Sequence, residues 1–60
     1  MKRTEYFVEF IPQGRYVKVT AVDPATGREA VLVGDASQSQ DTLSRLAVQK
    51  LEYLLKKTPG

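Results

Sequence analysis

The strongest constraint on this chain lies between Arg15 and Gly34, RYVKVTAVDPATGREAVLVG, two alternating apolar/polar runs joined by Pro24-Ala25-Thr26-Gly27. Pro24 presets φ at the first loop position, and Gly27 can take the left-handed conformation that closes the turn. If Asp23 faces Arg28 across the loop, Ala21 pairs with Ala30 and Val19 with Leu32 on one face. Thr20 then pairs with Val31, and Lys18 with Val33, on the other. The pattern predicts a hairpin with one apolar face.

Upstream, Thr4 to Ile11 alternates with a period of two, Tyr6, Val8 and Phe10 against Glu5, Phe7, Glu9 and Ile11. Pro12 is expected to end this strand, since it has no N–H for the ladder. Pro12-Gln13-Gly14-Arg15 reads as the turn. Pairing Ile11 with Tyr16 sets Phe10 opposite Val17, Val8 opposite Val19, Tyr6 opposite Ala21 and Glu9 opposite Lys18. The expected inner face is then Tyr6, Val8, Phe10, Val17, Val19, Ala21, Ala30 and Leu32.

Downstream, Gly34 to Gln38 reads as a loop, because one glycine without a following Gly-Lys-Ser/Thr is no phosphate cradle. Ser37 with Gln40 has the form of a capping box. Ser39, with Asp41 in the first turn, is the preferred cap of a helix from about Gln40 to Lys57, stopped by Pro59 and Gly60. Leu43, Ala47, Leu51, Leu54 and Leu55 form one stripe at helical spacing, opposite Asp41, Arg45, Gln49, Glu52 and Lys56. Leu46 and Tyr53 widen the arc on one side and Val48 on the other. The reading is an α+β domain, a three-stranded antiparallel meander with a C-terminal helix packed on one face (β-β-β-α), filling residues 1–60.

Composition limits the chemistry. A chain of 60 residues makes one small domain, burying only about 60% of its unfolded surface, and such domains gain much from association. Cysteine and histidine are both absent, which removes thiolate metal sites, disulfides and the commonest general base. No apolar run approaches a membrane span, and the N-terminus alternates rather than forming a signal sequence. The expectation is a cytoplasmic protein. Ser44 is followed three residues on by Ala47 rather than lysine, and the carboxylates are scattered along the chain. We expect no enzyme, catalytic residue, cofactor, metal or small-molecule substrate. The net charge of +2 is spread out, and Lys50, Lys56 and Lys57 suit the negative end of a helix dipole.

The outer sheet face is the informative part. It would carry Phe7, Ile11, Tyr16, Val22, Val31 and Val33 among Glu5, Glu9, Lys18, Thr20 and Glu29, more apolar area than monomers usually leave in water. Homodimerisation through Phe7, Ile11, Tyr16, Val31 and Val33 is the expected use. The alternatives are another, unidentified protein partner, on this face or at a sheet edge, and a merely greasy monomer surface. A further alternative is nucleic acid stacked on Phe7 and Tyr16 with Arg3, Arg15, Lys18 and Arg28 on the phosphates. Glu5, Glu9 and Glu29 weigh against that last use.

Two segments, Gly14–Asp35 and Leu43–Lys57, carry a resemblance. The opening FIPQGRYVKV at Phe10–Val19 and LAVQKLEY at Leu46–Tyr53 resemble a family of very short bacterial proteins known as a domain of unknown function. The resemblance covers most of the chain and implies a small bacterial cytoplasmic protein. It brings no activity, ligand or catalytic residue. In outline the chain is also similar to three-stranded DNA-binding domains such as integrase arm-binding modules, a fold-level analogy only.

Overall fold

The computed structural model describes residues 5–57. It is a meander in the order β1-β2-β3, followed by one helix: β1 (Phe7–Gln13), β2 (Tyr16–Asp23), β3 (Arg28–Asp35) and α1 (Gln40–Lys57). Both strand pairs are antiparallel, so the β-β-β-α architecture expected from the alternation is the observed one. Thr4, Pro59 and Gly60, read above as a strand start and a helix stop, lie outside the described residues.

The β2–β3 hairpin has the register read from the loop: Asp23 faces Arg28, Ala21 faces Ala30, Val19 faces Leu32 and Lys18 faces Val33. Asp23 organises the turn from a buried position. Its carboxylate accepts the Ala25 N–H at 3.1 Å and the Thr26 hydroxyl at 3.0 Å, while its carbonyl accepts the Gly27 N–H at 2.7 Å. A carboxylate can sit there because these donors replace water. Gly27 takes φ +78°, the conformation that made glycine the expected residue.

The β1–β2 register differs from expectation by two residues. Gln13 faces Tyr16, Phe10 faces Val19 and Val8 faces Ala21; Glu9 lies opposite Thr20 and Lys18 opposite Ile11. The reason is that Pro12 does not end the strand. The turn is only Gly14-Arg15, with Gly14 at φ +64°, the pattern of a type II′ hairpin. In such a hairpin the closing pair, Gln13 with Tyr16, is hydrogen-bonded and the next, Pro12 with Val17, is not. The Pro12 nitrogen therefore points away from β2, where a missing N–H breaks no ladder bond. A slip of two residues keeps every side chain on its expected face, because the side-chain period is two.

Val17, Val19, Ala21 and Ala30 from the sheet and Leu43, Ala47 and Leu51 from the helix form the buried core. Alanines at facing positions let α1 lie close. Gly34 does the same at the helix entrance: a Cβ there would run into the Leu43 side chain. The helix crosses β2 and β3 and barely meets β1. Tyr6, Val8 and Phe10 are consequently only half-buried, packed against the core's flank.

Ser39 is the cap. Its hydroxyl oxygen accepts the Thr42 N–H at 3.1 Å, and its carbonyl accepts the Leu43 N–H at 3.1 Å. The Ser37–Gln40 box does not form, because Asp35 engages Ser37 instead, accepting its N–H at 2.8 Å and its hydroxyl at 2.7 Å. Asp41 then pairs with Arg45 one turn on at 3.2 Å. This exposed pair adds only a few tenths of a kcal/mol.

Candidate interaction face

The side of the sheet away from α1 is laid out by the two registers. Its rows across β1, β2 and β3 are Gln13–Tyr16–Asp35, Ile11–Lys18–Val33, Glu9–Thr20–Val31 and Phe7–Val22–Glu29. Alternation along each strand puts these residues opposite the core face. The expected contact residues are all on this face and all exposed: Val33 65%, Phe7 63%, Tyr16 59%, Val31 38% and Ile11 37%. Among the described residues nothing covers Phe7 or Val33. Thr20, at the centre, is nevertheless buried beneath its neighbours, so the face has a packed floor and an apolar surround.

Its charge is mainly negative. Glu9, Glu29 and Asp35 stand on it with Lys18 as the sole cation in those rows. Asp35 is held below the ordinary carboxylate range, first by the Ser37 N–H and then by the Ser37 hydroxyl, since bonds to the charged form favour it. Among the described residues, the side chains of Lys18 and Glu9 have no hydrogen-bond or ion-pair partner.

The residues expected for phosphate contact are not brought together. Arg15 is in the β1–β2 turn and Lys18 is on the outer face. Arg28, opposite Asp23, belongs by alternation to the helix side. Arg3 lies outside the described residues.

The two sheet edges are blunted by different means. At β3 the Lys50 ammonium donates to the Val31 carbonyl at 2.6 Å, and the Gln38 side-chain carbonyl accepts the Asp35 N–H at 2.9 Å. Both groups would otherwise be offered to an incoming strand. At β1 Pro12 removes an outward donor. By sequence Lys50 is part of a cationic helix end; its reach back 19 residues to β3 has no local signature.

On the helix, Leu46 and Tyr53 are also exposed, and the Lys57 ammonium lies 5.5 Å from the Tyr53 ring centroid, within cation–π range. An open groove of about 680 Å³ runs past Tyr6, Glu52, Tyr53 and Leu55. Burial there, followed by the charges of Glu52 and Asp23, pushes the Tyr6 phenol up. Among the described residues, no helix is long and apolar enough to cross a membrane.

Fold and face together define a small α+β domain, a meander roofed by one helix and, among the described residues, uncovered on its other side. A family model described as a domain of unknown function (DUF6898) matches residues 3–58. The chain belongs to that family, in agreement with the resemblance carried by Phe10–Val19 and Leu46–Tyr53. Nothing among the curated proteins or the solved structures matches it.

Proposed function

We propose that the protein is a non-catalytic interaction module that self-associates through the outer sheet face, in the cytoplasmic setting expected from the sequence. The observation that carries this reading is the exposure of Phe7, Tyr16 and Val33 on one face while the sheet edges are blunted. Blunted edges disfavour strand addition and leave the face as the apolar surface to bury. Three strands about 4.8 Å apart and about eight residues long give a face of roughly 14 by 26 Å. Closing two such faces removes on the order of 1,000 Å² in total, at the lower bound for a specific interface. The pair should therefore be reversible, with a dissociation constant on the order of micromolar or weaker.

Sedimentation equilibrium from low micromolar to near-millimolar concentration tests this. A mass rising from monomer to dimer is expected. Phe7→Glu combined with Val33→Glu should hold the mass at the monomer value while leaving the circular dichroism of the dilute protein unchanged. A wild-type monomer throughout the range would overturn the reading. The nucleic-acid alternative is opposed by the carboxylates on the face. Salt-sensitive binding of duplex DNA or single-stranded RNA that requires Arg15 or Lys18 would put it ahead.

A further inference from the structure

Resting on the self-association reading, we infer that charge selects one geometry for the pair: a two-fold axis running across the strands, with Lys18 of each copy against Glu9 of the other. Lys18 stands mid-row between Ile11 and Val33, so a second apolar face laid over it strips water from its ammonium. A desolvated charge needs a counter-ion. Asp35 is engaged by Ser37, and Glu29 lies at the far corner, two rows away. Glu9 is one strand and one row away, and its carboxylate is without a partner among the described residues.

A symmetric face-to-face pair has its axis in the plane of contact, and the same patch serves both copies. If the axis ran along β2, each residue of β2 would meet itself, and Lys18 would lie on the partner's Lys18. Like charges in contact within an apolar interface strongly disfavour that solution. An axis across the strands, between the rows of Lys18 and Thr20, avoids it. Lys18 then meets the partner's Thr20–Glu9 row, twice by symmetry. Val33 meets the partner's Val31, and Tyr16 meets the partner's Val22. Glu29 and Asp35 approach one another only at the corners, where water and salt screen them.

Charge reversal tests the inference. Lys18→Glu alone and Glu9→Lys alone should each weaken the dimer about tenfold or more, with the monomer fold checked by circular dichroism. An equimolar mixture of the two variants should re-form a dimer, and so should the chain carrying both substitutions. A zero-length carbodiimide cross-link between Lys18 and Glu9, formed between isotopically labelled and unlabelled wild-type copies, would report the contact directly. A wild-type dimer that tolerates both reversals, or that cross-links only within one chain, overturns this geometry and leaves self-association standing. A wild-type monomer removes the underlying reading instead.

Discussion

Gly34 and Asp35 are neighbours whose roles differ in kind, one steric and one electrostatic. Gly34 gives Leu43 its place, and Leu43 is 2% exposed, so a methyl group at 34 has no slack to use. Gly34→Ala should cost about 1–3 kcal/mol, as overpacking of a filled core does, read as a lower urea midpoint with an unchanged slope. A variant as stable as wild type would show that the helix entrance yields. Asp35 works through charge. Its folded pKa lies below the ordinary 3.8, so the native state binds a proton less readily than the unfolded chain. Its contribution is present in full above that ordinary value and is lost as pH falls through the lowered one. Wild-type stability should accordingly drop more steeply than that of Asp35→Asn on acidification through the carboxylate range. Parallel curves would mean that the Ser37 bonds do not discriminate between the protonation states.

At the scale of elements, β1 is the weakest member. It pairs on one side only and lies mostly outside the cover of α1. Local opening follows cover and pairing, so in dilute protein the amides of Phe7–Gln13 should exchange with deuterium sooner than those of β2. Equal protection along both strands would contradict this. The strands, the helix and its Ser39 cap were legible because alternation and capping chemistry are local. So was the β2–β3 register, which the Asp23–Gly27 loop pins. The β1–β2 register was not, because Pro12 reads equally as a strand terminator and as an edge residue with its nitrogen turned outward. Only the pairing geometry separates the two. The off-centre seat of α1 and the reach of Lys50 to Val31 were also illegible, since both depend on contacts distant in sequence. The membership of the candidate face is legible whichever of the two registers is taken, because a slip of two exchanges neighbours without exchanging sides.

The whole molecule is small enough for association to matter to its stability. At roughly 0.05–0.15 kcal/mol per residue, a domain of 60 residues is held by only several kcal/mol. Any partner that binds the folded form alone adds to that margin by mass action. If the chain self-associates through this face, in whatever geometry, the thermal midpoint should rise with protein concentration in wild type and remain flat in the Phe7→Glu, Val33→Glu chain. Pro12 on one border of the sheet and Lys50 on the other then bear on what a crowded solution contains. A flat, greasy, three-ribbon layer invites sideways recruitment, copy after copy, into fibrils. With a donor missing on one flank and an acceptor already spoken for on the other, such growth is disfavoured, and the proposed pair would stay a closed one.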